Sequence, residues 1–402
     1  MADMPAPLCK LPPDRLEPAL RLVTYMLGEA REASDADNVL TRVAAMIRDA
    51  GVPLHRASSI VPLLHAEAVA SARFWEHGKG ARSHLFPFQI GSSSGYAQSP
   101  AAEVHKTGKW VALWLPKTPD DRYGIVPELK ADGYVHYLMA PIFMRSGMAG
   151  TFSFATRRAA GFSAADIAFL RAVFPALSAC QEILATARAM QEVLRIYVGE
   201  EPQQRILSGD VHRGQVTHIR SAVLFSDMRR FTELTAEMTA EEATGLLNTY
   251  YDCVVPPIET AGGEVLKFVG DGILAVFRTE DGDAFTCGQA LAAARAALAR
   301  VEARRDAPRF KVGIALHFGE VGFGNVGSGM RLDYTVVGRD VNLASRLAGL
   351  CSALGEPLLV SEEFCRRAAP LGRLISRSLG RQRLKGLRAP QEVFAVAQSG
   401  WA

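Results

Sequence analysis

GGEVLKFVGDGILAVF, residues 262–277, is the stretch from which the C-terminal part of this 402-residue chain is read. Its Gly262-Gly263 pair predicts a tight turn between two strands. Two apolar runs flank Gly270-Asp271-Gly272. A carboxylate between two glycines in strand-like sequence is costly unless something approaches the backbone closely; the plain alternative is a bulge with a solvated aspartate.

Upstream lies Ala222–Thr232 (AVLFSDMRRFT), where a buried strand gives way to a helix at Asp227. A carboxylate at such an edge can reach a metal, and the helix start offers free N–H groups to phosphate. Alone, Asp227 reads equally as a helix cap. Taken with Asp271 it reads differently. Two carboxylates on neighbouring strand ends suit Mg²⁺, which takes few protein carboxylates plus substrate phosphates. Downstream, Gly319–Arg346 (GEVGFGNVGSGMRLDYTVVGRDVNLASR) opens with a glycine-rich hairpin turning near Phe318–Glu320. A strand over Tyr334–Val337 follows, then a helix capped by Asp340. Asn342 and Arg346, four apart, share one face of that helix. An amide and a guanidinium so placed can hold a ribose and a phosphate together.

From Thr217 onward the order is strand, helix, helix, hairpin, helix, hairpin, strand, helix, strand, helix, strand, strand, with turns at Ala261–Gly263 and Phe318–Glu320. This predicts an α+β fold, a ferredoxin-like sandwich.

Together FSDMRRFT, KFVGDG and DYTVVGRDVNLASR resemble the class III adenylyl/guanylyl cyclase catalytic domain, over Ser221 to Val396. The resemblance implies two divalent metal ions, Mg²⁺ or Mn²⁺, on Asp227 and Asp271. It implies a triphosphate held by the backbone of Met228, Arg229, Arg230, Phe231 and Thr232. Lys267 and Thr335 match the pair that reads the purine, Asn342 the residue that orients the ribose, and Arg346 the one that stabilises charge on the α-phosphate. In this family the metal carboxylates and the other four side chains come from opposite subunits, so a homodimer is implied. Lysine donates hydrogen bonds and has no acceptor. It therefore suits the N1 acceptor of adenine, and ATP is the expected substrate; the glutamate typical of guanylyl cyclases would suit GTP. Thr335 resembles the threonine-bearing subgroup, which includes bicarbonate-responsive members. The position of a triphosphate-contacting lysine near the C-terminal strands falls on Leu387, with Lys385 and Arg388 beside it. Gly262-Gly263-Glu264 resembles the start of a diguanylate cyclase GG[DE]EF turn, but Val265 and Leu266 break that signature. A guanylate cyclase or a non-catalytic nucleotide-binding regulator is the alternative reading.

Residues 1–162 resemble a GAF-like α/β sensor region, on the stretch from Met139 through Phe162-Ser163 and Asp166. Helical patterns at Leu16–Ala30 and Ala36–Ala50, a loop at Gly91–Gly95 and a strand pair turning at Arg145–Gly147 are expected. An unknown small-molecule effector is implied; among His65, His77, His84 and His105, no spacing selects a ligand. Residues 163–214 read as a helical linker opened by a Ser163/Asp166 capping box. Cys180, Ile183, Ala187, Met190, Leu194 and Tyr197 alternate steps of three and four, a coiled-coil seam. Gly199–Gly214 reads as a connector, and residues 215–402 as the catalytic domain.

The net charge of +3 is too small to argue for nucleic acid. Six scattered cysteines without a CxxC pair suit a reducing cytoplasm. No uninterrupted apolar run approaches the roughly 20 residues of a spanning helix, so no membrane span is expected.

Overall fold

The computed structural model describes residues 8–65, 68–87, 94–305, 309–372, 374–387 and 389–397. The chain divides into two compact units, Met1–Ile196 and Tyr197–Ala402.

In the first unit, α1 (Pro13–Leu27) starts on a proline and α2 (Ala36–Asp49) is capped by Asp35, whose carboxylate accepts from the N–H groups of Asp37 and Asn38. A six-stranded antiparallel sheet follows, in the order β3-β2-β1-β6-β5-β4. Its strands are β1 (Arg56–Pro62), β2 (Ala68–Glu76), β3 (Gly80–Pro87), β4 (Val111–Trp114), β5 (His136–Phe143) and β6 (Ala149–Thr156). The turn expected at Arg145–Gly147 joins β5 to β6. Short helices α3 (Ser94–Ala97), α4 (Pro100–Thr107) and α5 (Val126–Ala131) lie between β3 and β5. Of the loop expected at Gly91–Gly95, residues 91–93 lie outside the described residues, and the rest opens α3.

The long helix α6 (Ala164–Val198) starts as its sequence requires. Ser163 N–H donates to Asp166 Oδ2 at 2.9 Å, and Asp166 N–H donates back to Ser163 Oγ at 3.1 Å. Asp166 is buried and paired with both Arg15 and Arg158. By length and composition α6 could cross a membrane, and half of its apolar window is buried inside the fold. The expected seam splits. Cys180 joins the core of its own unit, whereas Ile183, Met190 and Tyr197, seven apart, are exposed on α6.

The second unit begins with a difference from the sequence reading: the expected connector contains a helix, α7 (Glu200–Leu207). Then come β7 (Val216–Met228), the one-turn α8 (Phe231–Leu234), α9 (Ala240–Thr260), β8 (Glu264–Val269), β9 (Gly272–Arg278), α10 (Asp283–Ala303) and β10 (Val312–Gly327). β11 (Leu332–Val337), α11 (Arg339–Leu354), β12 (Leu358–Ser361), α12 (Glu362–Ala368), β13 (Ser376–Gln382) and β14 (Gln391–Val396) complete it. The sheet order is β13-β14-β12-β10-β7-β9-β8, with β11 on β10. Within it, β7-α9-β8-β9-α10-β10 is the expected ferredoxin-like βαββαβ, paired β10-β7-β9-β8.

Period-2 alternation on β7 sends Ala222, Leu224 and Met228 into a core with α9 and α10. Val223, Phe225 and Asp227 consequently face the other side, where α11 packs. Buried Ser226, on the α9 side, accepts from Tyr250 Oη–H at 2.8 Å.

Two hairpin assignments are corrected. Gly262-Gly263 joins α9 to β8, and the hairpin turn is Gly270-Asp271, where Gly270 takes φ +62°. No turn occurs at Phe318–Glu320, because β10 runs unbroken from Val312 to Gly327. Its glycines admit neighbours. A Cβ on Gly319 would lie 2.1 Å from Asp340 Oδ2, and one on Gly324 would lie 2.0 Å from the Gln215 carbonyl oxygen. The hairpin instead turns between β10 and β11, where Ser328 N–H donates to Arg331 O.

Candidate active site

Asp227 is the second-last residue of β7 and stands opposite Gly272 of β9. A Cβ on Gly272 would lie 3.3 Å from the Ser226 carbonyl oxygen and 3.9 Å from Asp227 Oδ1, so this edge is tight. Asp271 is in the turn just before. Met228 N–H donates to Asp271 O at 3.2 Å, which fastens that turn to the end of β7. Tyr251 Oη–H donates to Gly270 O at 2.7 Å and its ring packs on Phe268. The Asp271 carboxyl lies close enough to Asp227 to act on it electrostatically. Burial first, then the neighbouring Asp271 carboxylate, pushes Asp227 up to about 7. A pair of hard oxygen acceptors that resist ionising together is the donor chemistry a divalent cation relieves. Among the described residues no group of three or more His, Cys, Asp or Glu side chains is placed to hold a metal.

The segment after Asp227 is narrower than expected as an anion cradle. Besides the amide of Met228, that of Arg229 is already engaged, donating to Lys311 O at 2.8 Å. Arg230 adopts a left-handed φ of 60°, and α8 begins at Phe231, with Leu234 N–H the first amide bonded back, to Arg230 O. Arg230, Phe231 and Thr232 thus carry the helix-start amides. The Arg229 guanidinium turns inward to the Glu356 carbonyl, and Arg230 pairs with Glu233.

Lys267 and Thr335 are not joined. Lys267 Nζ donates to Asp333 Oδ2 at 2.8 Å, whereas Thr335 is buried and its Oγ1 has no hydrogen-bond partner among the described residues. Asp333 was passed over in the sequence, although it sits two residues from Thr335 and so shares its face of β11. Asn342 and Arg346 lie together on the exposed face of α11, as their spacing required. Among the described residues, no hydrogen bond or ion pair joins them to either aspartate. Asp340 is not the cap of α11. Gly338 holds that position, and the Asp340 carboxylate reaches across to Glu320 N–H at 2.9 Å. Lys385 is exposed and Leu387 packs on the core beneath α11, while Arg388 lies outside the described residues.

Residues 215–396, a little under half of the chain, match the family model of the Adenylate and Guanylate cyclase catalytic domain. An adenylate cyclase of Anabaena cylindrica is 34% identical over 164 residues, 39% of this chain and 32% of that protein. The terminal-differentiation-specific adenylate cyclase of Dictyostelium discoideum is 31% identical over 195 residues, 46% of this chain and 9% of that protein. The chain therefore spans a third or less of the length of these relatives. Among solved structures, the adenylyl cyclase CyaB from P. aeruginosa is 29% identical, covering 46% of this chain and 97% of that one at a TM-score of 0.42. The guanylyl cyclase Cya2 is 26% identical, covering 45% and 93% at a TM-score of 0.40.

The C-terminal unit thus carries a class III nucleotidyl cyclase catalytic domain. Domains of this class use divalent metals, bind a nucleotide substrate and function as dimers.

Proposed function

We propose that this domain is an adenylate cyclase, converting ATP to 3′,5′-cyclic AMP and pyrophosphate in a homodimer. The ribose 3′-hydroxyl gives up its proton to solvent as its oxygen attacks the α-phosphorus, and the bond from that phosphorus to the bridging oxygen of the β-phosphate breaks, that oxygen leaving with pyrophosphate. The observation that carries the reading is the close approach of the Asp227 and Asp271 carboxyl groups at the end of β7. These two would hold two divalent ions, Mg²⁺ or Mn²⁺, whose chemistry is to stabilise the attacking and leaving oxygens. Free amides at Arg230, Phe231 and Thr232 take the triphosphate. Lys267 donates to adenine N1, and Thr335 is the second residue of the purine readout. Asn342 and Arg346, exposed and joined to neither aspartate within the chain, serve the aspartates of a second copy, orienting the ribose and offsetting charge on the α-phosphate.

The N-terminal unit acts as a GAF-like sensor of a small-molecule effector inside the cell. The exposed Ile183, Met190 and Tyr197 stripe of α6 pairs with its counterpart in the dimer and passes the signal on. Turnover of ATP and GTP by purified protein with each metal tests the reading. Cyclic AMP as the main product is expected, and a strong GTP preference overturns the choice of ATP. Unchanged activity and regulation after removal of residues 1–200 would overturn the sensor role.

A further inference from the structure

The buried imidazole of His317 lies at mid-strand in β10, on the face covered by α11, and takes no part in the reaction as described. Its Nδ1 is 2.7 Å from Ser361 Oγ. Ser361 caps α12, its Oγ accepting from Phe364 N–H at 3.2 Å. On the other side, His317 Nε2 faces Asp340 Oδ1 at 3.5 Å and has no hydrogen-bond partner among the described residues. The second Asp340 oxygen accepts from Glu320 N–H at 2.9 Å. Asp340 is held below the ordinary carboxylate range, first by His317, so it faces the ring as an acceptor-only group.

An ionised Asp340 calls for a proton on Nε2. Nδ1 then shares a hydrogen bond with the Ser361 hydroxyl, which still receives Phe364 N–H on a lone pair. One chain of polar contacts therefore runs from the start of α12 through β10 to the first turn of α11. Gly319 leaves the space for it, since a side chain there would strike the Asp340 carboxylate.

We infer that His317 is a positioning residue for catalysis, setting through Asp340 the place of the α11 first turn and with it Asn342 and Arg346. This rests on the cyclase reading above. β10 is the strand directly paired with β7, Gly313 standing opposite Asp227, so the same strand registers both halves of the machinery. An error of about 1 Å in such a helix can cost on the order of 10²-fold in rate.

The test uses the full chain with four variants: His317→Asn, His317→Gln, Asp340→Asn and the double Asp340→Asn/His317→Asn. The Gln amide reaches the Nε2 position and can donate to Asp340; the Asn amide reaches only the Nδ1 position. His317→Asn and Asp340→Asn should each lower kcat roughly tenfold or more, with KM for ATP within about twofold and the dimer retained. His317→Gln should restore most of the rate, and the double variant should be no slower than about twofold below either single one. Wild-type kcat in His317→Asn, equal losses in both His317 variants, or multiplying losses in the double variant would overturn the inference. Imidazole ¹⁵N shifts supply a readout independent of turnover. A proton on Nε2 that responds to Asp340→Asn is expected, and a proton on Nδ1 alone refutes the relay. A wild-type chain inactive on both ATP and GTP would sink the cyclase reading, and this inference with it.

Discussion

Asp227 and Asp271 bring their carboxyl groups close together where the end of β7 meets the turn between β8 and β9. Two carboxyl groups that close repel once both ionise, so the edge is built to receive positive charge. Asp227→Asn should lower turnover by about 100-fold or more while the fold persists. Ligand linkage gives a second measure. Mn²⁺ should raise the thermal midpoint of the wild type and leave that of Asp227→Asn unmoved. An equal rise in both would show that the cation binds elsewhere.

In the proposed reading Lys267 carries the substrate choice, and its ammonium is oriented by Asp333 at 2.8 Å. Replacing a donor with an acceptor reverses the match to the purine N1 edge. Lys267→Glu should lower kcat/KM for ATP by at least about tenfold, since a site built around one hydrogen bond rejects its opposite strongly. The ratio of GTP to ATP turnover should rise. Competition assays with both nucleotides measure it, and an unchanged ratio would remove Lys267 from purine recognition.

Much of this site was legible because its signals are local. Gly270-Asp271-Gly272 marks a carboxylate in tight backbone, and the four-residue step from Asn342 to Arg346 fixes a shared helix face. The order of elements gave the βαββαβ core for the same reason, since each period is set by its own residues. What misled was glycine. Gly319, Gly322 and Gly324 read as part of a hairpin turning near Phe318–Glu320, yet they lie in one strand, bare because Asp340 and the start of β7 press against them. Glycine in sequence signals either a bend or a close approach, and only long-range packing decides which. Asp340 followed the same logic. Near a helix start it reads as a cap, but its partners, Glu320 and His317, are about twenty residues away in the chain.

Glu264, the first residue of β8, ties α7 to the sheet by accepting from Glu201 N–H at 3.2 Å. Burial, then the nearby Glu201 carboxylate, pushes it up to about 7. A carboxyl raised in the folded state contributes stability that is present below its unfolded value, near 4, and lost as pH climbs through about 7. The thermal midpoint of the C-terminal unit should therefore fall over that window. Glu264→Gln keeps the acceptor and removes the charge. It should flatten the fall and gain on the order of 1 kcal/mol at pH 8. Calorimetry from pH 4 to pH 8 checks this, and parallel curves for variant and wild type would contradict it.

Gly324 offers the sharpest test of the long strand. A Cβ there would sit 2.0 Å from the Gln215 carbonyl oxygen and 2.9 Å from Val216 Cα, both backbone atoms of the neighbouring chain segment. Neither can rotate away as a side-chain end would, so β10 and β7 must part locally. Overpacking of this kind costs about 1–3 kcal/mol. Gly324→Ala should lower the midpoint of the C-terminal unit accordingly, while Gly329→Ala, where a Cβ meets nothing within 4 Å, should leave it unchanged. Because Gly324 stands opposite Thr335 and beside Asn325, which pairs with Tyr334, the parted strand would also move β11. ATP turnover should then fall in Gly324→Ala beyond the loss of folded protein, and not in Gly329→Ala. Equal midpoints for the two variants would mean that the strand yields at this point without cost, contrary to the packing described.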